Sequence, residues 1–308
     1  MTPKVSVHIV TYNHARFIRQ TLDSVLTQDF DAPLEICIGD DASTDGTAEI
    51  LREYSLRYPD RVRAVLRERN MGPGPNAVDI LNKCTGEYIA FLEGDDYWTT
   101  SNKLKLQAEY LDRNPGCSLV HHAVEHIAWP SGAILGKAPA PLFRFQRPDP
   151  KLLSMTNYIQ TCSVMFRRSA LPKLDEGYLA LRIGDWPLFV LLAQNGWVGY
   201  IDKVMAHYRI HSANSWNNRA PDYKLRAMES MANYLLGRVD EHSKRYWRST
   251  LLALAFKDLG LAVQSLSAPN AMQKLFRFIK LSFEFKQPFW VVTSLWPYYR
   301  ANVRRGFA

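Results

Sequence analysis

Tyr88-Ile89-Ala90-Phe91-Leu92-Glu93-Gly94-Asp95-Asp96-Tyr97-Trp98 joins a run of apolar and aromatic residues directly to three carboxylates. A short uninterrupted apolar run suits a central strand covered on both faces. Acids packed together at the end of such a strand repel one another unless a cation compensates. Hard oxygen donors of this kind suit Mg²⁺ or Mn²⁺, which complete their shells with phosphate oxygens and water. A solvated acidic loop is the simpler reading of any single acidic pair, so the neighbouring segments decide between the two.

Towards the N-terminus the same strand-then-acid pattern recurs. Val5–Val10 is strand-like and precedes residues 15–28, where Phe17, Ile18, Leu22, Val25 and Leu26 fall at helical spacing. Leu34–Ile38 precedes a helical pattern over Thr47–Tyr58, and Val62–Leu66 precedes another over Asn76–Cys84. This β-α-β-α-β-α-β series predicts an α/β fold with a Rossmann-like, mainly parallel sheet flanked by helices. Ligands of such sheets bind beyond the carboxyl ends of the strands. The segments there are Thr11-Tyr12-Asn13, Asp40 to Thr47, Asn70-Met71-Gly72 and Glu93 to Asp96, which are predicted to share one rim. Asp40 to Gly46 begins like a calcium loop, but Arg52 stands where that loop needs its bidentate Glu. Asp45-Gly46 reads instead as a turn, with Thr47 capping the next helix.

Towards the C-terminus the patterns predict a helix over 104–114, a loop rich in Pro and Gly over 131–150, a helix over 185–195 and a strand over 204–208. Residues beyond about 222 read as helical. The expected organisation is a domain over 1–220, with halves 1–115 and 116–220, followed by a helical region over 221–308.

Composition narrows the function. With 47% hydrophobic and 22% charged residues among 308, the chain is expected to fold. Cys37, Cys84, Cys117 and Cys162 lack CxxC spacing and read as buried thiols. No Gly-x-Gly-x-x-Gly follows the first strand, Gly72-Pro73-Gly74-Pro75 lacks that spacing, and no Walker motif is present, which removes dinucleotide oxidoreduction and P-loop hydrolysis. No apolar run reaches the ~18 residues that would span a bilayer. The first strand begins so close to Met1 that an unexported, cytoplasmic chain is expected, at most peripheral on the inner face of the cell membrane. Of the net charge of +8, residues 271–308 supply +6. No nucleic-acid module accompanies this charge. Met272, Leu275, Phe276, Ile279 and Phe283 share a helical face, Lys274, Arg277 and Lys280 lie elsewhere, and Phe289, Trp290 and Trp296 follow. That pattern fits a helix resting on an anionic membrane, or one packed on the domain or on a second copy in a homo-oligomer.

The ordered set Thr11-Tyr12-Asn13, Asp40-Asp41-x-Ser43-x-Asp45-Gly46-Thr47, Asn70-x-Gly72 and Phe91 to Trp98 resembles the family-2 glycosyltransferases, which have the GT-A fold. Gly184-Asp185-Trp186 and Tyr208-Arg209-Ile210-His211 extend the resemblance to about residue 216. It implies that Thr11 and Tyr12 line a nucleotide pocket, with Asn13, Asp40 and Asn70 on the same rim, and that Asp41 contacts the base or ribose. Asp95-Asp96 is then the DXD-type element, in which one acid holds the ribose and another the metal bridging the diphosphate. Asp96 is the favoured metal ligand, then Asp95. Glu93 stands where the family often has Asp and is grouped with the sugar site. Asp185 matches the general base, although a carboxylate there also suits a helix N-terminus. His211 matches a position near the metal or diphosphate. Trp98 and Trp186 are candidates to stack on sugar rings, against the ordinary role of Trp in packing.

The implied reaction is inverting transfer from a nucleotide-sugar, UDP-linked in the common case, to a glycan or lipid-linked glycan, with Mn²⁺ or Mg²⁺ as cofactor. Asp185 would take the acceptor's proton. A sugar-nucleotide nucleotidyltransferase would show a Gly-rich signature with Arg and Lys where this chain reads Thr11-Tyr12-Asn13-His14. A non-catalytic scaffold subunit retaining the fold is the remaining alternative.

Overall fold

The computed structural model describes residues 2–145, 152–212, 219–264 and 268–285. The first hundred residues alternate as the spacing predicts: β1 (Val5–Thr11), α1 (Ile18–Leu26), β2 (Leu34–Asp40), α2 (Thr47–Arg57), β3 (Val62–Leu66), α3 (Pro73–Lys83) and β4 (Tyr88–Glu93). Val5, Val7, Ile9, Ile36, Ile38, Tyr88, Ala90 and Leu92 are fully or almost fully buried, as expected of strands covered by helices. β1 runs parallel to both β2 and β4, with Thr11 opposite Asp40 and Val10 opposite Glu93. This register brings the carboxyl ends of the three strands level, so their polar extensions form one rim.

The next elements are β5 (Tyr97–Trp98), α4 (Lys103–Arg113), β6 (Cys117–Ala128), β7 (Ile134–Ala138), α5 (Leu152–Met155), β8 (Met165–Arg167), α6 (Glu176–Leu179), α7 (Asp185–Gln194) and β9 (Trp197–Ile210). Among the described residues the sheet has nine strands in the order β3-β2-β1-β4-β8-β6-β9-β5, with β7 on β6. β8 is antiparallel to β4 and β6, whereas β6 and β9 are parallel. β7 lies inside the stretch expected to be a loop. β9 is 14 residues long, well beyond the short strand expected at 204–208. All four cysteines are buried.

The described residues form two compact units, one holding the whole sheet and closing at His211. The other comprises α8 (Pro221–Leu236), α9 (Glu241–Gln264) and α10 (Ala268–Glu284) with α5. In it Phe278 packs with Leu252 and Ala255, while Lys274 pairs with Asp258 and Arg277 with Glu229. Met272, Leu275, Phe276, Ile279 and Phe283 are exposed, so α10 packs through a face other than the apolar one legible in the sequence. Phe289, Trp290 and Trp296 lie outside the described residues. Among the described residues no helix is long and apolar enough to cross a membrane.

Candidate active site

The ends of β1 and β2 are locked together by short polar side chains. Asn13 (φ +57°) donates its N–H to Ser43 Oγ at 2.8 Å, and its Oδ1 accepts from Thr44 N at 2.9 Å. The Asp40 carboxylate accepts from Ser43 N at 3.1 Å and from the Ser43 hydroxyl. Burial nonetheless pushes its pKa up, because removal from water outweighs those donors. Asp41 braces the segment after β3: its oxygens accept from Met71 N at 2.7 Å and Gly72 N at 2.9 Å, while Asn70 donates to the Asp41 carbonyl at 3.0 Å. Asp40, Asp41 and Asn70 thus use their polar groups to shape the rim. Tyr12 is 46% exposed on that rim, whereas Thr11 is buried beneath Gly94. A Cβ at Gly94 would come within 2.6 Å of Thr11 Oγ1, so only glycine allows the acid segment to lie this close to β1. The turn at Asp45-Gly46 forms as expected, but Gly46 rather than Thr47 holds the N-cap position of α2, and Asp45 Oδ1 accepts from Thr47 N at 3.1 Å.

The carboxylates after β4 have unlike surroundings. Asp96 is turned inward: Oδ1 accepts from Arg209 N at 2.9 Å, and Oδ2 is buried with no conventional donor among the described residues. Desolvation, then the charges of Asp95 and Glu93, raise its pKa well above the usual carboxylate range. Asp95 has the opposite sign. Burial opposes its ionisation, but the His211 hydrogen bond and the His14 and His211 charges bring its pKa below the ordinary value. His211 Nε2 lies 3.0 Å and His14 Nε2 3.8 Å from Asp95 Oδ2. Glu93 is pushed up to about 8, first by burial and then by Asp95 and Asp185.

The pairing of β5 with β9 brings the far end of the unit to this motif, with Tyr97 opposite His207. Arg209 clamps it: the guanidinium donates to the Asp95 carbonyl and to Gln20, and lies 4.3 Å from the Tyr97 ring centroid. The sequence alone assigns Arg209 no task beyond its place in the Tyr208-Arg209-Ile210-His211 motif. Its position two residues before a candidate ligand was the available signal.

Asp185 opens α7, and its Oδ2 accepts from the Thr161 hydroxyl at 3.2 Å. Trp186 is half-buried beside it. Trp98 is 4% exposed, donates its indole N–H to the Cys162 carbonyl at 3.1 Å and carries Lys103 Nζ 3.7 Å over its ring. Trp98 is therefore a core side chain and is unavailable for stacking on a sugar, which corrects the sequence expectation.

Among the described residues no cluster of three or more His, Cys, Asp or Glu side chains is arranged to hold a metal. The Asp95–His211 pair, with His14 adjacent, still fits a Mg²⁺ or Mn²⁺ ion, since such ions take few protein ligands and fill the remaining positions with phosphate oxygens and water. Asp96 fits less well, one of its oxygens being committed to a backbone amide.

Residues 6–174 match the family described as Glycosyl transferase family 2. The uncharacterized protein Rv1520 of Mycobacterium tuberculosis is 38% identical over 218 residues, 71% of this chain and 62% of that protein, so the chain spans about three fifths of that relative. The poly(ribitol-phosphate) beta-N-acetylglucosaminyltransferase TarS of Staphylococcus aureus is 28% identical over 193 residues, covering 62% of this chain and 32% of TarS. The structure of TarS residues 1–349 in complex with UDP-GlcNAc superposes with a TM-score of 0.67 at 21% identity, over 99% of this chain and 89% of that one. The mannosyltransferase PcManGT of Pyrobaculum calidifontis, in complex with GDP-Man and Mn²⁺, gives 0.57 at 19% identity, over 99% and 87%. These likenesses show a GT-A fold, and with a family match spanning more than half its length the chain belongs to glycosyl transferase family 2.

Proposed function

We propose that the chain moves a sugar from a nucleoside diphosphate donor, UDP-linked, to a hydroxyl of a glycan or lipid-linked glycan with inversion at the anomeric carbon. The observation that carries this reading is the placement of Asp185 on α7, hydrogen-bonded to Thr161 and electrostatically felt by Glu93 at the end of the acid strand. A carboxylate there would take the acceptor's proton as the hydroxyl attacks. Direct attack with one base inverts the configuration. Tyr12 and the Asn13–Ser43 loop would receive the base and ribose, and Trp186 the acceptor side. Asp95 and His211 would hold a divalent cation, with Asp96 and Arg209 fixing the loop that carries Asp95. Such an ion would neutralise charge developing on the diphosphate leaving group.

The UDP-GlcNAc complex of TarS supports a UDP-sugar donor, and the Mn²⁺ complex of PcManGT supports the metal. A thermal-shift screen of UDP-, GDP- and dTDP-sugars with Mn²⁺ tests both, since a ligand that binds only the folded state raises stability with the logarithm of its concentration over Kd. No stabilisation by any nucleotide-sugar would overturn the reading.

The exposed apolar stripe of α10 supports a membrane-facing role. Lys274 and Arg277 are already engaged with Asp258 and Glu229, so apolar contact carries most of this attachment. Flotation with anionic liposomes is expected for the full chain and lost in Phe276→Glu/Phe283→Glu. Flotation unchanged by that pair would refute the assignment of α10.

A further inference from the structure

Asp185 and the acid motif belong to elements far apart in sequence, and one short turn stands between them. Thr161, Cys162 and Ser163 form a 3₁₀ turn just before β8. Three hydrogen bonds from different elements pin it: Trp98 Nε1 to the Cys162 carbonyl at 3.1 Å, Gln107 Nε2 to the Ser163 carbonyl at 2.8 Å and Phe91 N to the Val164 carbonyl at 3.1 Å. Two of these donors, Phe91 and Trp98, flank Glu93-Gly94-Asp95-Asp96. The turn is thus referenced to the acid motif from both sides.

From this turn the Thr161 hydroxyl donates to Asp185 Oδ2 at 3.2 Å. A second contact fixes the peptide in front of Asp185, where the Tyr178 hydroxyl donates to the Gly184 carbonyl at 2.5 Å. Tyr178 sets where α7 starts, whereas Thr161 acts on the carboxylate itself. A hydroxyl donor on one carboxylate oxygen restricts rotation of the group about its Cβ–Cγ bond and so directs its lone pairs. Nothing in the sequence marks this residue, because it lies in an irregular segment between two strands.

We propose that Thr161 is a positioning residue for sugar transfer, orienting the Asp185 carboxylate and tying it to the frame of the acid motif. This inference rests on the reading of Asp185 as the general base. It assigns Thr161 no contact with substrate or metal.

The test uses the full chain with Mn²⁺ and the most active donor from a panel of UDP-, GDP- and dTDP-sugars, reading released nucleoside diphosphate. Thr161→Val preserves shape and removes the hydroxyl, and kcat is expected to fall by about tenfold to 100-fold, the scale of a misdirected reacting group. Donor KM and calorimetric Kd should stay within about twofold of wild type, because the donor side is untouched. Thr161→Ser should restore most of the turnover. A double-mutant cycle separates this inference from the reading beneath it. With Asp185 already replaced by Asn, adding Thr161→Val should cost less than about threefold, since there is no longer a base to orient. If Asp185→Asn is nearly inactive but Thr161→Val turns over normally, the Thr161 inference fails alone. If Asp185→Asn turns over normally, the base assignment fails. Fully multiplicative losses, or a serine variant no better than valine, would also overturn the positioning role. Should Thr161→Val melt well below wild type, Thr161→Ala carries the same expectations.

Discussion

Replacement of Asp185 by Asn separates binding from chemistry at one atom. Asn keeps the size and planarity of the side chain, and its Oδ1 can still accept the Thr161 hydroxyl that holds Asp185 at 3.2 Å. The Tyr178 hydroxyl still fixes the Gly184 carbonyl, so the start of α7 should not move. What is lost is the capacity to take a proton from the acceptor. General-base catalysis contributes about 10²–10⁴-fold, which at 1.36 kcal/mol per decade corresponds to a barrier rise of about 2.7–5.4 kcal/mol. The proposed donor contacts, Tyr12, the Asn13–Ser43 loop and the Asp95–His211 pair, lie on other elements, so donor affinity should change by less than about twofold. Steady-state release of nucleoside diphosphate gives kcat, and calorimetry with donor and Mn²⁺ gives Kd. Turnover within about threefold of wild type in a folded variant would refute the reasoning and return Asp185 to the role of a helix-terminal carboxylate.

Chelation should abolish transfer, with Mn²⁺ restoring it, and His211→Ala should weaken Mn²⁺-dependent donor binding, read by calorimetry; full activity in excess EDTA would remove the metal. Glu93, pushed up to about 8, is protonated at neutral pH in the metal-free protein, and the unfolded chain gives up that proton near the ordinary ~4.3. With the folded value the higher one, its stability contribution is lost as pH rises towards 8. Denaturant melts in EDTA between pH 6 and 9 should show this loss in wild type and much less of it in Glu93→Gln. Lys103 is fully buried against Trp98, and its Nζ has no hydrogen-bond acceptor among the described residues. Burial drives its pKa well below the usual lysine value, so the unfolded state holds the extra proton and stability rises with pH up to about 10.4. Lys103→Met should raise stability at neutral pH, because it removes both the unpaired buried amine and the proton that folding must expel. That variant should also lack the rise with pH, and a lower melting temperature would contradict this account.

The parallel half of the sheet was legible in the sequence because its strands are buried on both faces and its helices on one. Each strand there, such as Tyr88 to Leu92, therefore reads as a continuous apolar run bounded by turn residues. The rim followed, since polar residues directly after such strands have only one end of the sheet to occupy. β6 was not legible. Ser118, His121 and His122 sit buried in its first half, and their polarity breaks the pattern that the rest of the strand would show. Its long pairing with β9, in turn, depends on a partner about eighty residues away.

The acids show the same division. Composition and order were enough to place Glu93, Asp95 and Asp96 at a site, but adjacent carboxylates in sequence carry no mark of which one points inward. Backbone geometry decided that, committing Asp96 to the amide of Arg209 and leaving Asp95 beside His211. The same holds for Trp98, whose ring fills the core beneath Lys103. Thr161 reaches Asp185 only because Trp98, Gln107 and Phe91, from three separate elements, hold its turn in place. Local sequence records the residue types and the strand ends that bring them to one rim. The direction in which each side chain points is set by hydrogen bonds to partners up to 189 residues away, and only the tertiary structure decides it.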